Sequence, residues 1–129
     1  MKKNLHRIIM SALLTVLATV AASAQCYIVG SDNEWKTNTA AAELAETATT
    51  GVYEGDVTFV NGAQYFTVTQ HLTTGDDDWT EFNKNRFAPS VFDAMLVINE
   101  PMTMVKGRDA SFKVPVAGTT YRMRIDFNT

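Results

Sequence analysis

The sequence predicts an all-β fold, a single antiparallel β-sandwich, on three observations. Apolar residues recur at every second position through several segments, the period of a strand with one buried face. Glycine-containing turn pairs separate those segments, as hairpin connections require. The segments are short and closely spaced, which is the pattern of a sandwich such as the immunoglobulin-like domains.

Each element follows in turn. "CYIVG" at 26–30 reads as a first strand. "AAAELAET" at 40–47 is rich in alanine and reads as a helical turn. "VYEGDVTF" at 52–59 places Tyr53, Val57 and Phe59 on one face, with Glu54, Asp56 and Thr58 toward water. "QYFTVTQ" at 64–70 alternates Phe66 and Val68 with Tyr65, Thr67 and Thr69. Asn61-Gly62 between these two segments predicts a hairpin, because both positions of a two-residue turn need positive φ. Lys106-Gly107 and the stretch 115–119 mark two further turns. "ASFKV" at 110–114 turns Ala110, Phe112 and Val114 inward. "TTYRMRIDF" at 119–127 buries Tyr121, Met123, Ile125 and Phe127 against outward Arg122, Arg124 and Asp126.

The start of the chain has a different character. Lys2, Lys3, His6 and Arg7 precede an apolar run from Ile8 to Ala21, and Ala22-Ser23-Ala24 has the small-x-small form of a cleavage site. Residues 1–24 therefore read as a signal peptide, and residues 25–129 as the β-sandwich domain, one module that could belong to a longer protein. The expected location is outside the cytoplasm: periplasmic, outer-membrane-associated or extracellular. No apolar run after residue 24 is long enough for a transmembrane helix.

Without Lys2, Lys3 and Arg7, 8 basic residues stand against 14 acidic ones, a balance of −6. That opposes binding to a nucleic-acid backbone, which needs a basic surface. Cys26 is the single cysteine, so no intrachain disulfide is possible. Gln25 precedes it where a lipid-modified cysteine would want a small residue, so Cys26 reads as a free thiol in the first strand. His71 is the one histidine after the leader and forms no transition-metal cluster with Cys26.

"GDDDWTEFNKNRFAP", residues 75–89, is the most unusual stretch. A calcium loop needs oxygen ligands at alternating positions and a closing acid, and Asp76, Asp77 and Asp78 lack that spacing. A glycosidase needs two carboxylates across a cleft, one of them with a raised pKa. Here the acids share one polar loop, so no enzyme, metal or cofactor is expected. The remaining reading is a ligand platform. An indole covers the C–H face of a sugar while amides and charged groups bond its hydroxyls. Trp79 lies near Asn83, Lys84 and Asn85, and Trp35 lies beside Lys36 in another polar loop. These six are the candidate ligand-binding residues, because loops carry function. The competing reading makes both tryptophans plugs of the core. Phe82 and Phe87 are expected to anchor the loop.

"CYIVGSDNEWKTN", "GVYEGDVTFVNGAQYFTVTQ" and "KGRDASFKVPVAGTTYRMRIDFNT" together resemble the carbohydrate-binding modules of the SusE/SusF-type outer-membrane starch-binding proteins of Bacteroidota. The resemblance spans most of residues 26–129. It implies a starch-binding-module-like sandwich and a secreted, non-catalytic glycan-binding role, with a starch-like α-glucan as partner. The alternative is a structural or protein-interaction domain that engages a cell-envelope protein and no sugar.

Overall fold

The structure, a computed structural model, describes residues 6–11, 25–60 and 64–128. Ten strands form one sheet: β1 (His6–Ser11), β2 (Cys26–Gly30), β3 (Ala42–Glu46), β4 (Val52–Thr58), β5 (Tyr65–Thr69), β6 (Phe87–Pro89), β7 (Ala94–Met95), β8 (Met102–Lys106), β9 (Phe112–Lys113) and β10 (Thr120–Asp126). A short α-helix, α1 (Trp79–Asn85), lies between β5 and β6, and a single 3-10 turn, Ser31–Asn33, follows β2.

Eight of the strands form a ring. Their order is β2-β3-β4-β10-β1-β8-β6-β5, and β5 pairs back onto β2. Every pairing in the ring is antiparallel. β9 continues along β5 beyond β6, and β7 lies parallel to β9. The molecule is thus a closed eight-stranded barrel, which corrects the predicted β-sandwich of immunoglobulin-like or starch-binding-module-like form. The reason is physical. Alternation reports that one face of a strand is buried, and it reads the same whether that face meets a second sheet or the interior of a barrel. The pair that closes the ring decides the difference.

That pair is tight. Val29 and Gly30 of β2 face Thr67 and Phe66 of β5. A Cβ on Gly30 would lie 2.7 Å from Phe66 Cα, so only glycine lets the backbones approach this closely.

The inward faces are as the alternation predicts. Tyr53, Val57 and Phe59, Phe66 and Val68, Ala110, Phe112 and Val114, and Tyr121, Met123 and Ile125 are all buried. Phe127 is partly buried against the same core. Eight strands leave an interior that side chains fill. Ring contacts run through it, with Phe66 5.2 Å from Phe112 and 5.3 Å from Phe59. Outside, Arg122 and Arg124 of β10 meet Glu54 and Asp56 of β4 at 3.0–3.4 Å, a cross-strand charge ladder of the kind that supports pairing.

Two local expectations change. Ala42–Glu46 is strand β3, held between β2 and β4, where the predicted element was a helical turn. Leu44 is buried, and its packing overrides the helical preference of its alanine and glutamate neighbours. The Asn61-Gly62 turn lies outside the described residues, but the strands on either side of it are not partners. β4 pairs with β3 and β10, while β5 pairs with β2, β6 and β9. Turn chemistry marks a reversal of the chain without naming the neighbour. His6–Ser11, inside the expected leader, form β1 between β8 and β10. The cleavage motif Ala22–Ala24 itself lies outside the described residues. The turns near Gly107 and Gly118 do form, with φ of 80° and 78°.

Candidate functional site

The site is built on the outer side of the barrel at β5 and β6. Thr67 and Thr69 point away from the core along β5, yet both are buried, because other segments cover them. One of these covers is α1. Its N-terminus is capped by Asp78, whose Oδ1 accepts from the Glu81 amide at 3.2 Å, a standard capping arrangement. Phe82 is fully buried beneath the helix, and Phe87, at the start of β6, is buried too, as anchors of this stretch. The polar loop expected over 79–85 is therefore a helix.

The Trp35 loop is the second element of the site. Glu34 and Trp35 both adopt left-handed backbone, with φ of 59° and 58°, a conformation that costs energy for residues with a side chain. The loop is fastened by Thr37, which is fully buried. Its Oγ1 donates to the Gly75 carbonyl (2.9 Å), accepts from the Asp78 amide (3.0 Å) and lies 2.5 Å from Thr73 Oγ1. Its amide donates to the Asp76 carbonyl at 3.1 Å. Asp76 and Asp78 thus serve the loop as a backbone clasp and a helix cap. Among the described residues no three His, Cys, Asp or Glu side chains converge to hold a metal ion.

Thr37 lies two residues after Trp35, and Asp78 lies one before Trp79. Fastening them brings the two indoles together, with ring centroids 6.3 Å apart and planes inclined by 48°. Both tryptophans are half-buried and neither belongs to the core cluster. They line one open cleft of about 360 Å³ with Asn83, Arg86, Asp109 and Ser111.

Arg86 organises the floor. Its side chain is 2% exposed. Nε donates to Thr67 Oγ1 (3.2 Å), Nη1 to Asn83 Oδ1 (2.9 Å) and Asp109 Oδ1 (3.1 Å), and Nη2 to the Ala110 carbonyl (2.6 Å). The guanidinium carbon also sits 5.6 Å from the Trp79 ring centre and 5.8 Å from that of Phe82, within cation–π range. Burial lowers the Arg86 pKa, and the Asp109 charge opposes that shift; the group stays cationic at any physiological pH. Because Arg86 takes Asn83 Oδ1, the amide Nδ2 of Asn83 remains a donor, and the second carboxylate oxygen of Asp109, 81% exposed, remains an acceptor. The cleft therefore offers two indoles, an amide donor, a carboxylate acceptor and the Ser111 hydroxyl.

Of the six residues picked from sequence, Trp35, Trp79 and Asn83 line this cleft, and the other three do not. Lys36 pairs with Glu34 at 3.4 Å and Lys84 with Glu81 at 3.5 Å. Asn85 Nδ2 donates to the Glu81 carbonyl at 3.3 Å. Arg86 was adjacent to the picked residues in sequence. Its role was not visible there, because its partners Asp109 and Ala110 come from the turn before β9. Nothing in the chain marks Asp109 or Ser111 as members of the site.

Cys26 opens β2 with its thiol buried in the core. Burial, reinforced by the Glu43 charge, pushes its pKa far above the ordinary thiol range, so it is an inert core thiol in the folded chain. Comparison of the chain with protein-family models, with characterised proteins and with solved structures finds no match.

Proposed function

We propose that the chain is a secreted, non-catalytic glycan-binding module and that the Trp35–Trp79 cleft is its binding site. The observation that carries this reading is the convergence of two half-buried indoles from distant segments, a loop and the start of α1, on one open cleft whose polar groups are fixed by Arg86. Inclined aromatic faces suit the C–H surfaces of a pyranose chain. Donors and acceptors already held in place recognise its hydroxyls without the entropy cost of ordering them on binding. The inclination of the two planes favours a curved chain over a flat one, in keeping with the resemblance to starch-binding modules and an α-glucan ligand. The non-catalytic reading is supported by the lining. Among the described lining residues Asp109 is the one carboxylate, and it is engaged by Arg86, whereas glycoside hydrolysis uses two.

The test is titration with a panel of soluble oligosaccharides, α-glucans among them, read by tryptophan fluorescence and calorimetry. Trp79→Ala and Trp35→Ala are expected to weaken binding by roughly 30-fold, about 2 kcal/mol for an aromatic anchor, with the barrel still folded by circular dichroism. Absence of binding by the wild-type chain across the panel would refute the glycan reading and leave the protein-interaction alternative.

A further inference from the structure

Residues His6–Ser11 belong to the stretch that reads as a cleavable leader, yet they form the strand that completes the ring. Ile8 and Met10 are fully buried members of the core cluster, while Arg7 is exposed and Ile9 half-buried on the outer side. Arg7 through Ser11 face Asp126 through Arg122 of β10, and His6, Arg7 and Ile8 face Met104, Thr103 and Met102 of β8. His6 extends the pairing with the end of β10, its Nδ1 lying 3.0 Å from the Phe127 carbonyl, and its ring meets Phe87 edge-on at 5.1 Å.

The same residues cannot be discarded at export and also close the barrel. A chain beginning at Gln25 has seven of the eight ring strands. Its two open edges, β8 and β10, are both antiparallel to β1 and so run parallel to one another. Two strand spacings, about 9–10 Å, separate them. Direct closure would need a parallel pairing across that gap and a narrower barrel around the same side chains. Left open, the seam exposes two rows of unpaired backbone groups and the apolar interior, a state that folded proteins avoid.

We propose that the exported chain is a strand acceptor. The seam between β8 and β10 takes an extended segment of another protein, antiparallel to both edges, with apolar side chains at the two alternate positions filled here by Ile8 and Met10. Every described strand after Gln25 is already paired in the sheet, so a second copy has no spare strand to give. The resident strand states the chemistry of the occupant. A basic residue is favoured opposite Asp126, as Arg7 is, and outward positions accept polar side chains. Beyond Met10 the track continues. Ile98 bridges Met10, the Asn99 amide donates to the Met10 carbonyl at 2.7 Å, and Val97 and Ile98 are 51% and 39% exposed. A longer donor would cover them. Backbone pairing supplies affinity in such strand addition, and the alternate pockets supply specificity.

The test begins with the whole chain. A site for a specific protease is inserted between Ala24 and Gln25, the purified protein is cut, and a fluorescent peptide containing His6–Ser11 is added in excess. Saturable one-to-one exchange of peptide for the resident strand is expected. Amides of 102–104 and 122–126 should exchange hydrogen at least tenfold faster once the strand is washed out, and should slow again when the peptide enters. A peptide carrying Ile8→Asp and Met10→Asp should not enter, while one carrying Arg7→Lys and Ile9→Thr should. Competition in the cut but unwashed protein reads the same exchange, so aggregation of the strand-free chain does not hide the result. Four outcomes overturn the proposal: no exchange, equal entry of the aspartate peptide, an exported protein whose mass still includes His6–Ser11, or a strand-free chain that fills the seam with a second copy of itself.

Discussion

The two sides of β5 are one strand and two kinds of structure. Phe66 and Val68 face the interior, where burial is achieved by shape and by apolar area removed from water. Thr67 and Thr69 face outward and are equally buried, but beneath a polar layer. Thr67 Oγ1 donates to the Phe87 carbonyl at 2.8 Å and accepts from Arg86. Thr69 Oγ1 donates to the His71 carbonyl at 3.0 Å. The comparison teaches where a binding site can be placed. The inner side is filled by apolar side chains. The outer side is covered by groups that satisfy one another and still present spare donors, acceptors and ring faces to solvent.

If the inner side works by filling, Phe66→Ala should cost the most, about 3–5 kcal/mol of stability. It should lower the urea midpoint and leave the ligand affinity of the remaining folded fraction nearly unchanged. A smaller loss would mean that the neighbouring Phe59 and Phe112 rings collapse into the space.

The outer side should break differently. Arg86→Met keeps the apolar bulk but removes the donor to Thr67, Asn83, Asp109 and Ala110. Leaving the buried Ala110 carbonyl without a partner should cost about 2–3 kcal/mol. The same change frees Asn83 and Asp109 to move, so binding should fall as well. A variant that unfolds at the wild-type urea midpoint and binds normally would remove Arg86 as the organiser of the cleft.

Thr37→Val sharpens the comparison further, because shape is kept and only the hydroxyl is lost. Three bonds to Gly75, Thr73 and Asp78 go with it. A stability loss of about 1–2 kcal/mol is expected, with weaker ligand binding as the two indoles part. Acrylamide quenching of tryptophan fluorescence should rise. An unchanged quenching constant would show that some other contact holds the rings together.

The smallest effect belongs to Lys84→Ala. Its ammonium meets Glu81 three residues away on an exposed helix face, and such pairs contribute only about 0.3–0.5 kcal/mol. Ligand affinity should not change. A clear loss of affinity would extend the site along α1, beyond the cleft.

The inner side was legible in the sequence because alternation is local. Tyr121, Met123 and Ile125 announce their buried face from spacing alone, and Arg122, Arg124 and Glu54 announce the wet one. Trp35, Trp79 and Asn83 were legible as candidates for the outer side, because indoles and amides in polar loops are conspicuous. Lys36, Lys84 and Asn85 share that composition, and no local signal separates a residue that faces the cleft from one that faces water beside it.

What the sequence determined by itself was the all-β class, the inward face of most strands, the turns at Gly107 and Gly118, and the two polar stretches that carry tryptophan. These follow from steric and hydrophobic preferences that act over a few residues. Tertiary structure alone decided that the sheet closes into a barrel, that β4 and β5 take different partners, and that His6–Ser11 fit between β8 and β10. It also decided that Asp109 and Ser111 join Trp35, Trp79 and Asn83 around Arg86. Each of these depends on which distant segments come to lie side by side. That choice is made by long-range pairing and close backbone approach, as at Gly30 and Phe66, and a period of two carries no record of it.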